Sequence, residues 1–202
     1  MKPLYLYEEV MLLAVRDEEG TFSPGYVEHA VSSAILAEWL LERRIAVDGK
    51  TKNKLVDLID VSQVGDPVMD ACLEKFKLAK RRASVSDWVS RLSNLKNLRH
   101  QVAEGLCARK ILRADEDKVL FLFKRRIYPE INPKPEQEIV ERLRRAIFEG
   151  QDDLDPRTVV LIALVHWSDL LAETFGRQEL RRKKKRIEQI AKGELIGCLL
   201  YT

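Results

Sequence analysis

The stretch YVEHAVSSAILAEWLLERR, Tyr26 to Arg44, decides the fold. Successive helical residues turn by about 100°, so the unbroken apolar run from Ala34 to Ala37 points in every direction around an axis. Such a helix is satisfied only when other helices surround it, and this segment is read as the centre of the core. A second segment of the same kind, RTVVLIALVHWSDLLAETF, follows Asp155-Pro156 and is expected to be one buried helix.

The remaining helices are expected to flank these two. LYLYEEVMLLAVRDEEG has Leu6, Val10, Leu13 and Ala14 in helical rhythm and reads as an amphipathic helix stopped at Gly20. VGDPVMDACLEKFKLAKR opens with Asp66 as N-cap and Pro67 at the first helical position. SVSDWVSRLSN begins with a Ser84 to Asp87 spacing that resembles a capping box. NLKNLRHQVAEGLCARKIL sets Leu95, Leu98, Val102, Ala103 and Leu106 on one stripe, with Lys96 and Arg99 off it. A further helix is expected from about Glu136 to Glu149, and a strongly basic one comes last.

Two segments read as hairpins. In IAVDGKTKNKLVDLIDV, β-prone stretches flank an Asp48-Gly49 turn signal. In ILRADEDKVLFLFKRRIYP, an acidic turn at Asp115 to Asp117 precedes an apolar strand of Val119, Leu120, Phe121, Leu122 and Phe123. Consecutive apolar strand residues point to both faces, so both faces need cover, from the same domain or from a neighbour. The expected fold is mainly α: a single globular domain over residues 1–202, a central helical bundle surrounded by amphipathic helices, with one or two short β-hairpins.

The 202 residues are 46% hydrophobic and 33% charged, ordinary for a soluble globular protein. Net charge is +3, but Arg177 to Lys192 alone holds eight cations against Glu179 and Glu188, leaving the remainder at −3. That distribution points to a local anion contact, not to a broad nucleic-acid-coating face. Cys72, Cys107 and Cys198 are scattered and odd in number, which suggests neither a disulfide framework nor a metal site and fits a reducing cytosol. The longest apolar stretch, Val159 to Val165, is far short of the roughly 20 residues of a membrane helix, so membrane contact is expected to be peripheral.

Signatures of nucleotide-binding loops, serine hydrolases and zinc proteases are absent, and no cofactor, metal or catalytic residue is assigned. His166 and Asp169 are three apart and would share a helix face, chiefly as a structural polar pair. His100 and Cys107 lie two helical turns apart, roughly 10 Å of rise, too far for direct proton transfer. Lys96 and Arg99, three apart on the expected helix, point the same way and can converge on one phosphate, although solvated cation pairs of this spacing are common. In LRRKKKRIEQI, Leu180, Ile187, Ile190 and Ala191 form the apolar stripe, with Lys183 and Lys184 on or beside it. Those two lysines must snorkel past apolar neighbours or sit on a loosely packed helix. The run reads first as a solvated face, with an anionic membrane or nucleic acid as the alternative.

Taken in order, LYEEVMLLAVRDEEGTF, AILAEWLLERRI, VGDPVMDACL, DWVSRL, LRHQVAEGLCARKIL with its hairpin and RRIYPE, DPRTVVLIALVHWSDLL and the basic helix resemble the Golgi phosphoprotein 3 family over nearly the whole chain. The resemblance implies a mainly helical, non-enzymatic, cytosolic peripheral protein. It further implies binding of phosphatidylinositol 4-phosphate and adaptor action on the cytosolic tails of membrane proteins. It places two basic headgroup ligands on Lys96 and Arg99, and self-association on the hairpin, including Val119 to Phe123. The family's Trp and Arg ligands fall at Ser23 and Ser32, which leaves Phe22 or Tyr26, with Lys183 and Lys184, as accessory membrane contacts. The chain starts directly at the domain, as in the family's prokaryotic-type branch. An anionic-headgroup adaptor that self-associates is the leading expectation; a nucleic-acid-binding domain using Arg181 to Arg186 is the competing one.

Overall fold

The computed structural model describes residues 2–16, 19–23, 27–50, 53–119, 123–150 and 153–191, apart from the side chains of residues 118, 119 and 123. The elements run α1 (Leu6–Ala14), α2 (Val27–Leu41), β1 (Ile45–Asp48), β2 (Leu55–Leu58), α3 (Pro67–Lys77), β3 (Ala83–Ser84), α4 (Val85–Ser93) and α5 (Leu98–Ala108). They continue with β4 (Asp115–Val119), β5 (Phe123–Ile127), α6 (Lys134–Phe148), α7 (Pro156–Trp167), α8 (Leu170–Phe175) and α9 (Arg177–Ala191). The chain is mainly helical, and α1, α2 and α7 form the middle of the bundle.

Trp39 of α2 shows why this helix is central. Only 1% of it is exposed; its ring meets Phe76 of α3 edge-on at 5.2 Å, and Phe76 stacks on Trp88 of α4 at 3.5 Å. One aromatic column thus ties three helices together. The caps read from the sequence at Asp66 and Ser84 are formed, and the structure adds one at Asp155. Asp66 accepts from the amides of Val68 and Met69, Ser84 and Asp87 make the reciprocal box, and Asp155 accepts from Thr158 at 2.9 Å.

The expected amphipathic character of α1 is overturned: all nine of its residues are buried, Glu8 and Glu9 included. Their charges are compensated by arginines from three other segments. Glu8 pairs with Arg109 at 2.7 Å, Glu9 with Arg142 at 2.7 Å, and Arg157 bridges Glu9 at 3.6 Å and Glu38 of α2 at 2.6 Å. Removing one partner of such a buried pair typically costs about 3–5 kcal/mol, so the network fixes α1 against α2, α6 and α7. Burial pushes the Glu8 carboxyl upward, and the Tyr5 amide and Arg109 oppose that shift.

Gly20 is not a helix stop. α1 already ends at Ala14, and Val15 then bridges to Phe22, so Gly20 sits in the intervening turn. Its φ is +61°, and an added Cβ would lie 2.3 Å from the nitrogen of Pro129. Only glycine allows this close approach of two backbones.

The Asp48-Gly49 pair does not make a two-residue turn, because Asp48 stands opposite Leu55. The antiparallel β1–β2 pair exists, and β3, which the sequence reading missed, adds to its β2 edge. The second hairpin is built differently from expectation. The acidic stretch is itself strand β4, paired with the basic strand β5, and Val119 opposes Phe123 as the last pair of the ladder. The apolar run is therefore not a single strand; Leu120, Phe121 and Leu122 lie outside the described residues. Opposite charge explains the pairing: Glu116 meets Lys124 at 2.9 Å and Asp117 meets Arg125 at 2.9 Å.

The segment after Asp155-Pro156 is two helices, not one. Asp169 takes a left-handed conformation (φ 64°) between α7 and α8. His166 and Asp169 therefore do not share a helix face. Asp169 pairs with Arg177 at 2.9 Å, while His166 lies against the Trp167 ring.

Candidate anion-binding site

Asn97, also left-handed (φ 58°), precedes the first residue of α5 without a side-chain cap. Lys96 consequently stands in the turn before the helix and Arg99 in its first turn, so the two do not form the expected pair on one helical face. Arg99 is held from two sides. Its Nε lies 3.5 Å from Glu28, and its guanidinium sits 5.2 Å from the centre of the Phe22 ring, a cation–π distance.

The β4–β5 hairpin brings Lys124, Arg125 and Arg126 to the same place because Tyr128, just beyond β5, is anchored. Its amide donates to the Gly20 carbonyl at 2.7 Å, its ring is fully buried, and its hydroxyl meets His100 Nδ1 at 2.9 Å. Phe22 meets the His100 ring edge-on at 5.5 Å and lies 5.7 Å from Tyr128. Burial pushes the Tyr128 hydroxyl upward, with Glu104 adding to it. Burial likewise holds His100 below its usual range, and the neighbouring cations Arg99 and Arg126 push it further down.

These groups enclose an open cavity of about 480 Å³, walled by Arg99, His100 and Asn97 on one side, Lys124, Arg125 and Arg126 on another, and Thr21 and Phe22. No carboxylate is among the lining residues. An adjoining cavity of about 360 Å³ shares Asn97, Arg99 and His100 and adds Glu28, His29 and the end of α4. The β5 cations have acidic partners that do not line the cavity; besides the two cross-strand pairs, Arg126 meets Glu104 at 3.0 Å. These pairs are largely exposed and hold their cations weakly. Each arginine has five donors, so a single pairing leaves others for an oxyanion.

Of the residues expected from the sequence, the structure brings Arg99 and Phe22 into this cavity. Lys96 is exposed beside it and does not line it. Phe22 is part of the wall, packed under Arg99 and against His100. Tyr26 lies outside the described residues. Ser23 and Ser32 are both buried; Ser23 donates to Glu173, and the Ser32 hydroxyl, inside α2, has no hydrogen-bond partner among the described residues. Neither serine lines the cavity.

The basic run on α9 resolves by geometry. Lys183 snorkels to the Phe148 carbonyl at 2.9 Å, and Arg186 reaches the Ala146 carbonyl at 3.4 Å, so both bind carbonyls at the C-terminal end of α6. Lys183 thus caps the end of α6, whereas Lys184 is exposed, 3.9 Å from Glu188. His100 and Cys107 do not act together: His100 is engaged with Tyr128, and burial pushes the Cys107 thiol up.

Sequence reading missed Lys124, Arg125 and Arg126, whereas His100, close in sequence to Arg99, is expected to widen the patch and does line the cavity. The signal was the KRR run in a segment read as the flank of an apolar strand. Among the described residues, no group of three His, Cys, Asp or Glu side chains is placed to hold a metal ion. No described helix is long and apolar enough to cross a membrane.

Comparison with known proteins agrees with this architecture. The chain is 24% identical over 215 residues to vacuolar protein sorting-associated protein 74 of Eremothecium gossypii, covering 90% of this chain and 64% of that protein. It therefore spans less than two thirds of the curated relative's length. The family model for Golgi phosphoprotein 3 matches residues 6–199. The chain belongs to the Golgi phosphoprotein 3 family.

Proposed function

We propose that this protein is a non-enzymatic adaptor that docks peripherally on a membrane by binding a phosphate-bearing headgroup in the Arg99 cavity. The observation that carries this reading is the convergence of Arg99, Lys124, Arg125, Arg126 and His100 on one open cavity whose lining holds no carboxylate. Guanidinium forks from two separate elements suit the oxygens of a phosphate monoester, and the cavity's openness suits a headgroup still attached to a bilayer. Family resemblance points to phosphatidylinositol 4-phosphate as the first headgroup to try, and to cytosolic tails of membrane proteins as clients. It also points to homo-oligomerisation through the β4–β5 hairpin and a cytoplasmic, peripheral location.

The lysines and arginines of α9 give weaker support to nucleic acid, since Lys183 and Arg186 are occupied within the fold.

Co-sedimentation with phosphatidylcholine vesicles containing phosphatidylinositol 4-phosphate tests the proposal. Binding is expected to exceed that to plain phosphatidylcholine and to be lost in the Arg99→Ala/Arg126→Ala variant. Equal binding to both vesicles, or binding unchanged in the variant, overturns it. Loss caused instead by Lys184→Ala would place the contact on α9.

A further inference from the structure

A second surface, on the far side of α2 from its contact with α1, lacks the charge of the first. Leu36, Leu40 and Leu41 of α2, Val85 and Val89 of α4, and Val160 of α7 line an almost wholly apolar groove of about 180 Å³. A cavity of about 550 Å³ shares Ser33, Ala163 and Leu164 with that groove and extends it past Ala30 to Trp167 and Ala191. Trp167 is 70% exposed, an unusual position for the largest apolar side chain. Nothing in the groove itself would hold a charged or strongly polar ligand, so its occupant must be apolar.

Ala191, the last residue of α9, stands at the open end of this surface. The chain that follows it is Lys192-Gly193-Glu194 and then LIGCLLYT, with Leu195, Ile196, Cys198, Leu199, Leu200 and Tyr201 apolar and no charge from Leu195 onward. We propose that this C-terminal segment, residues 195–202, docks into the groove between α2, α4 and α7 of its own chain.

Length, composition and attachment all agree with that occupant. Along α2 the surface runs from His29 to Leu41, roughly 18 Å at 1.5 Å per residue. Eight residues span roughly 12 Å as a helix and up to about 26 Å when extended, so the segment covers most or all of the groove in either form. A glycine two residues beyond α9 frees the chain to turn back. The tether also favours the segment over a second copy or an unrelated peptide, because attachment so close to the groove sets an effective concentration on the order of millimolar.

Cys198 supplies the test in the full-length chain. Ser33, where the two cavities meet, is replaced (Ser33→Cys) in a Cys107→Ser background; Cys72 is buried. A short bismaleimide is then applied, and cross-linked peptides are identified by mass. The expected result is an intrachain bridge between position 33 and Cys198 that disappears in the Leu199→Asp/Leu200→Asp variant while far-UV circular dichroism remains helical. A bridge that forms only between chains assigns the groove to a second copy and overturns the proposal. The absence of any bridge in the folded protein, or a bridge that persists undiminished in the Asp variant, overturns it as well.

Discussion

The carbonyl of Gly20 accepts the amide of Tyr128 at 2.7 Å, and this single backbone contact joins the turn after α1 to the end of β5. Two walls of the cavity flank it: Phe22 lies two residues beyond Gly20, and Lys124 to Arg126 precede Tyr128. Gly20→Ala places a methyl group 2.3 Å from the Pro129 nitrogen at a φ of +61°. The left-handed conformation alone costs a non-glycine residue about 1–2 kcal/mol, and the clash with backbone adds to it. Denaturant unfolding is expected to show at least that loss, with vesicle binding lost even where the protein remains folded. Unaltered stability and binding would mean that the two backbones separate without consequence.

How far the sequence discloses this arrangement depends on how local each cause is. The caps at Asp66 and Ser84 are legible because donor and acceptor lie within three residues of each other. The break at Asp169 is not, since neither glycine nor proline marks the left-handed residue there. β4 was hidden for a different reason: DEDKV has poor strand propensity alone and pairs because FKRRI supplies opposite charges across the ladder. Arg99 could be found through family resemblance, whereas the β5 half of the cavity required the Gly20–Tyr128 contact, which joins positions more than a hundred residues apart.

His100 makes stability depend on pH. Facing it are Arg99 and Glu104 from its own helix, Arg126 and Tyr128 from the hairpin side, Phe22 from the preceding turn and Glu28 from α2. Burial first, then Arg99 and Arg126, depress its pKa below 6.5, so between the folded value and 6.5 the unfolded chain binds more protons. This contribution is fully present above pH 6.5 and is lost as pH falls through the folded pKa, with a slope of at most about 1.4 kcal/mol per pH unit. Unfolding midpoints measured from pH 5 to 8 should fall more steeply below pH 6.5 for the native chain than for His100→Gln. Parallel curves for the two proteins would show that His100 carries no such linkage.

Two adjacent lysines on α9 should behave differently despite equal charge. Lys183 donates to the Phe148 carbonyl at 2.9 Å, where the end of α6 leaves carbonyls without helical partners and the helix dipole favours a cation. Lys184 points to solvent, and its 3.9 Å contact with Glu188 is the exposed kind that contributes little. Lys183→Ala is therefore expected to destabilise the protein by about 0.5–2 kcal/mol, from the lost cap and the lost packing of its aliphatic stem. Lys184→Ala is expected to stay within about 0.5 kcal/mol of the native chain. Binding to anionic vesicles reads the converse: Lys183→Ala should change it no more than its stability loss explains. Equal unfolding midpoints for the two variants would show that Lys183 does not cap α6, and would return it to the solvated face of the helix.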